Sequence, residues 1–286
     1  MANVRVGRSR SRHPDDARMT LTEHLRELRR RVVISGLAII VATAVAFAFH
    51  HWLLHVITKP YCDLPEHYRA IQGRCTLVVG GVLDPFTVTL RLSLYAGLLL
   101  SSPVWLYQVW RFVTPGLYDK ERRWALTFVA SSVGLFVAGA VVAYVTLQNG
   151  LRFLLGFATG GIASLLNFNS YLSYVVAMML VFAVSFEFPL FVVMLNLAGV
   201  LTYERLRRWT RGILFGIFAF AAFATPSQDP FTMIALALPM CVLFAGALFV
   251  ARVHDRRVAS RGDTSSYAHL SDDELSTIDD EPVVRS

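Results

Sequence analysis

Apolar runs of about twenty residues recur along the chain, separated by short stretches where arginine, proline and glycine collect. Helices of that length cross the roughly 30 Å hydrocarbon core of a bilayer at about 1.5 Å per residue. The pattern predicts six spans: Val32 to Phe49, Phe86 to Leu106, Trp124 to Leu147, Tyr171 to Val200, Gly212 to Ala224 and Phe231 to Val250. The fifth reaches only about 20 Å as a helix. Joined to the sixth by the tight turn TPSQDP, Thr225 to Pro230, it predicts a mismatched pair that thins the bilayer locally.

The polar stretches differ in kind. Residues 1–20 have no apolar period and read as a disordered tail. Thr22 to Arg31 places Leu21, Leu25 and Leu28 on one stripe behind an N-cap threonine. That predicts a short amphipathic helix lying on the membrane before the chain turns in. His50 to Leu83 is too long for a connector and predicts a folded cap over the outer face. Gln148 to Ser170 contains Gly156-x-x-x-Gly160, and Gly160-Gly161 favours an interfacial loop over a helix-pairing face. Residues 251–286, with eight acids after Arg252, read as a second disordered tail. The membrane domain is thus 21–250, all-α and polytopic.

Charge orients this arrangement. Of 27 lysines and arginines, 22 fall before span one, between spans two and three, between four and five, or after six. Cationic residues concentrate on the cytoplasmic side, so both termini are placed there. The net charge of +7 points to anionic lipid headgroups rather than nucleic acid, because the arginines flank the apolar runs. Cys241 lies in a span and reads as a small buried hydrophobe. Cys62 and Cys75 bracket a polar loop on the outer side, where they form either a disulfide or two unrelated thiols.

Few residues carry chemistry. Glu187 is the only acid within span four, and a charge there costs about 2.5–3.5 kcal/mol on insertion scales. It faces a partner or a cavity, or it serves a structural hydrogen bond. Pro189, two residues on, removes a backbone donor and kinks the helix beside it. Glu27 and Glu121 sit at membrane boundaries among arginines. One reading is local pairing, Glu27 with Arg30 or Arg31 and Glu121 with its own basic loop; the other is a ligand site. His51 and His55 share a helix face, but nothing completes a metal set, so no metal or cofactor is expected. No H-E-x-x-H, G-x-S-x-G or phosphate loop occurs, which argues against an enzyme.

The segments EHLRELRRR (Glu23 to Arg31), SSPVWLYQVWRFVTPGLYDKERR (Ser101 to Arg123), FAVSFEFPL (Phe182 to Leu190), TPSQDPFT (Thr225 to Thr232) and ALPM (Ala237 to Met240) occur in the order seen in one family. Over about Leu21 to Val250 the chain resembles the TatC family, the multispanning receptor subunits of the twin-arginine protein translocase. The resemblance implies a bacterial inner-membrane receptor for folded cargo bearing two consecutive arginines in its signal peptide. It also implies an oligomer recruiting the single-span proteins TatA and TatB for export driven by the proton-motive force. It assigns the arginine pair to Glu27 and Glu121, with Phe112 and Gln108 in the same site. It matches the family's intramembrane glutamate to Glu187, and Asp229 is the nearest acid to the family's turn motif, which carries an insertion here. A carboxylate accepts a guanidinium fork through two parallel hydrogen bonds, which would explain a demand for arginine. The competing function is a proton-coupled secondary transporter with Glu187 as carrier. It would need a second half to rock against, and no inverted repeat is visible.

Overall fold

A computed structural model describes residues 21–65, 77–113, 122–157, 166–227 and 229–267. Nine helices stand among these residues: α1 (Leu21–Ala48), α2 (His50–Cys62), α3 (Asp84–Leu100), α4 (Ser102–Val113), α5 (Arg122–Leu155), α6 (Phe168–Ser185), α7 (Phe188–Leu197), α8 (Tyr203–Ala224) and α9 (Pro230–Tyr267). Pairing between extended segments is limited, among the described residues, to an isolated bridge from Val78 to Asn167.

Four of the crossings meet the length and composition of a membrane span: α1, α5, the α6–α7 pair and α9. The α3–α4 pair makes a fifth when its two halves are taken together. α8 falls short because five of its first nine residues are charged. The α6–α7 span is the central one, with 56% of its apolar window buried against 11% for α1. Val175, Met178 and Phe182 of α6 are wholly enclosed. α5 lies along α6, α9 packs against α5, α7 and α8, and α1 lies on α3 and α4. Glycines permit two of these approaches. A Cβ at Gly97 would stand 2.7 Å from the Thr43 backbone of α1, and one at Gly139 would stand 2.6 Å from the Phe182 carbonyl of α6.

Several boundaries differ from the sequence pattern. The amphipathic stripe and the first span form one helix, since nothing between Leu21 and Ala48 breaks it; the predicted turn into the membrane is absent. α1 also starts at Leu21, so Thr22 is inside the helix rather than its cap. The second span is bent by 56° at Ser101, deeper than its predicted end at Leu106, and its second half carries Trp105, Tyr107, Trp110 and Phe112. Pro103 lacks the N–H that would bond the Leu99 carbonyl one turn back, and beside it the Trp105 indole N–H donates to the Leu98 carbonyl at 3.0 Å. α5 continues two turns past Leu147. α9 continues through 251–267, where a disordered tail was expected; residues 268–286 lie outside the described residues, as do 1–20.

Within the predicted cap, α2 packs on α3 and α5. Pro60 inside α2 leaves the Val56 carbonyl without its helical donor, and Tyr144 of α5 supplies an O–H at 2.8 Å. Tyr171 donates to the Ile57 carbonyl at 2.6 Å, and Gln148 to the Asp63 carbonyl at 3.1 Å. Cys62 ends α2 and is disulfide-bonded, whereas Cys241 is free. Cys75 and Gly160 lie outside the described residues.

Candidate functional site

Two apolar clefts flank the central span and meet at Val184, which lines both. The first, of about 460 Å³, lies between α1 and α4. Leu28, Arg31 and Val32 form one wall, Trp105, Gln108 and Phe112 the other, and Phe136 of α5 contributes behind them. The helical period explains the gathering: Trp105, Gln108 and Phe112 follow at i, i+3 and i+7 on one face of α4.

Glu27 stands at the edge of this cleft. Its carboxylate pairs with Arg31 one turn further along α1, and the same guanidinium donates to the Gln108 backbone carbonyl at 3.2 Å. The local pairing anticipated from spacing is therefore present, with Arg31 as the partner. It does more than pair charges along one helix, because it ties α1 to α4. Arg26, Arg29 and Arg30 are exposed around it. Glu121 lies outside the described residues.

The second cleft, of about 570 Å³, runs between α7 and α8 above Met240 of α9. Its walls are apolar, with Phe188, Phe191, Ile213, Ile217 and Phe220, and Glu187 is the acid in them. Glu187 occupies the short break between α6 and α7, with Pro189 buried two residues on, in the first turn of α7. Ser132 of α5 donates to Glu187 Oε2 at 2.8 Å and itself accepts from the Trp110 indole at 2.8 Å. The other oxygen, Oε1, is buried and has no hydrogen-bond partner among the described residues. Trp110 thus belongs to an interior relay joining α4, α5 and the α6–α7 break. Trp110 is 5% exposed, and Trp105 packs edge-on against Phe136 at 5.2 Å.

Asp229 lies elsewhere. It is wholly buried at the start of α9, accepting from the Thr232 backbone N–H at 2.8 Å and from the Thr232 hydroxyl at 2.6 Å. Those bonds satisfy an otherwise orphaned helix N-terminus, followed by Pro230. Its observed work is capping. Sequence reasoning missed Ser132, Arg31 as the tether, and Asp255. Asp255 accepts from Asn196 at 3.0 Å and from the Tyr203 N–H at 2.7 Å, binding the far part of α9 to the α7–α8 turn. Asn196, buried in an apolar span, was the available signal for that last cluster.

Comparison with known proteins bears on these clefts. A family model described as Sec-independent protein translocase protein (TatC) matches residues 23–239. The chain is 53% identical over 279 residues to the Sec-independent protein translocase protein TatC of Frankia casuarinae, covering 96% of this chain and 77% of that one. It is 40% identical over 294 residues to the TatC of Corynebacterium kroppenstedtii, covering 96% and 70%. Its fold is similar to a crystal structure of the twin arginine translocase receptor TatC in DDM, with a TM-score of 0.66, 31% identity, and coverage of 80% of this chain and 99% of that one. The family match runs from α1 into α9 and takes in both clefts but for Met240, and so the chain belongs to the TatC family of Sec-independent protein translocase proteins.

Proposed function

We propose that this multi-pass translocase subunit is the receptor for twin-arginine signal peptides, and that the α1–α4 cleft holds them. The observation that carries the reading is the pairing of a carboxylate with an apolar groove: Glu27 borders a cleft lined by Leu28, Val32, Trp105, Val109 and Phe112. A signal peptide has the complementary order, a cationic head followed by an apolar stretch. Glu27 and Glu121 take the two guanidinium groups, Gln108 and Phe112 contact the segment between head and stretch, and the apolar stretch lies along α4. The surrounding arginines repel a dication. Recognition is therefore short-range, with anionic headgroups screening the basic face.

In the same reading the α7–α8 cleft receives single-span partners of the TatA and TatB kind. Glu187 Oε1 is a buried acceptor awaiting a donor, and a polar group carried in on a partner helix satisfies it. With an even number of crossings, both termini face the cytoplasm across the bacterial inner membrane, and α2 covers the outer face.

Hydrogen bonds between charged groups are worth about 1.5–3 kcal/mol, so Glu27→Gln should weaken binding of an Arg-Arg signal peptide by about tenfold or more. Fluorescence anisotropy with the chain in nanodiscs measures this, and unchanged affinity removes Glu27 from the site. Glu187→Ala should leave that affinity unaltered while reducing crosslinking of TatA to the chain. Undiminished crosslinking would release Glu187 from its docking role.

A further inference from the structure

The carboxylate offered to the signal's arginines is already engaged by a guanidinium of its own chain. Arg31 pairs with Glu27 and reaches across to the Gln108 carbonyl. The two partners are unequally covered: the Arg31 side chain is 11% exposed and that of Glu27 37%. The guanidinium is held inside the helix contact, while the carboxylate stays accessible from the surface. We propose that Arg31 is a specificity-determining residue of the signal site, setting the preference for arginine over lysine by both neutralising Glu27 and fixing its carboxylate before any ligand arrives. The inference rests on the reading of Glu27 given above.

The physics is a matter of range. A bare carboxylate attracts any cation, and lysine and arginine gain alike from its charge. Once Arg31 is in place the pair has no net charge, and the exposed Arg26, Arg29 and Arg30 add only repulsion. An approaching ammonium ion, in effect a point charge, then gains little. A guanidinium still gains, because its directed N–H groups can engage a carboxylate oxygen in fixed geometry even where the average field is null. Arg31 therefore cancels the attraction common to both ligands and, anchored on Gln108, also fixes the Glu27 carboxylate for a fork; without Arg31 both ligands gain the charge, but arginine loses the preset geometry and so gains less. Its bond to Gln108 keeps it in position at the cleft wall rather than in water.

The test compares Arg-Arg and Lys-Lys forms of one fluorescent signal peptide on the full chain in nanodiscs of fixed lipid composition. Arg31→Gln and Arg31→Met should each tighten Lys-Lys binding by about tenfold, against less than about threefold for Arg-Arg, so that selectivity falls. Arg31→Lys keeps the charge, so Lys-Lys binding should stay within about twofold of the unaltered chain. A selectivity ratio unchanged in both neutral variants overturns the proposal. So does loss of Arg-Arg binding in them, the signature of a simple α1–α4 clamp. The unaltered chain gives a check independent of folding, using a peptide whose two arginines are dimethylated. That modification keeps charge and blocks the fork, so the peptide should bind like Lys-Lys; binding at Arg-Arg strength overturns the proposal. Glu27→Gln separates the two levels. If it leaves Arg-Arg binding intact, the receptor site itself is misplaced; if it abolishes binding while neutral Arg31 variants stay selective, only the role of Arg31 falls.

Discussion

Ser132 is wholly buried in α5 and both capacities of its hydroxyl are in use, accepting from Trp110 and donating to Glu187. Removing it deprives a buried indole N–H and a buried carboxyl oxygen each of a hydrogen bond, at about 1–3 kcal/mol per group. Ser132→Ala should therefore lower the thermal midpoint in detergent by several degrees, whereas Ser131→Ala should shift it little. Equal shifts would show that the relay adds no stability. The contrast also shows what sequence could reveal at this scale. Glu187 was legible because an acid inside an apolar run has few explanations. Ser132 was not, because a serine in a helix can bond its own backbone four residues back, as Ser131 does to the Thr127 carbonyl at 2.9 Å. Nothing in the Ser131-Ser132 pair says which hydroxyl turns inward. Asp229 followed by Pro230 was a readable cap signal, but the family motif drew attention to its charge instead.

At the scale of elements, prolines announced breaks without saying which would open. Pro103 lies two residues beyond the 56° bend and Pro189 two beyond the α6–α7 break, yet Pro60 and Pro239 sit inside α2 and α9 without ending them. What a proline fixes is a missing donor. The consequence depends on whether a neighbour supplies another, as Tyr144 does for the Val56 carbonyl, and that neighbour is distant in sequence. The α1–α3 contact was equally hidden, since Gly97 reads as one glycine in an apolar helix. Gly97→Ala would press a Cβ to 2.7 Å from Thr43 backbone atoms, which cannot rotate aside. Overpacking of this kind costs about 1–3 kcal/mol. Gly36→Ala, on the next turns of α1, meets nothing within 4 Å and should gain helix propensity of about 0.5–1 kcal/mol. Opposite shifts in detergent thermal unfolding are expected, and a tolerated alanine at Gly97 would mean the two helices separate freely.

For the whole molecule the question is whether α8 counts as a crossing. By composition it fails, since Glu204, Arg205, Arg207, Arg208 and Arg211 crowd its beginning. By geometry it passes. Its start is bound through the Tyr203 N–H to Asp255, late in α9. Its end leads into the turn where Asp229 caps the beginning of α9, beside Gly150 near the far end of α5. α8 therefore runs antiparallel to α9 over much of the same depth, and its 22 residues reach about 33 Å. The apolar part is only Gly212 to Ala224, so a crossing α8 would hold its basic half at headgroup level and call for a thinner bilayer beside it. Counting α8 gives six crossings and puts Arg26 and Arg257 on one side of the membrane, with Val82, 98% exposed before α3, on the other. Five crossings would separate Arg26 from Arg257. Single cysteines at these three positions, treated with a membrane-impermeant maleimide in intact spheroplasts, decide between them. Val82→Cys should label directly, and Arg26→Cys and Arg257→Cys only after permeabilisation; if Arg26→Cys and Arg257→Cys behave differently, α8 does not cross and the two clefts do not open within one six-span body.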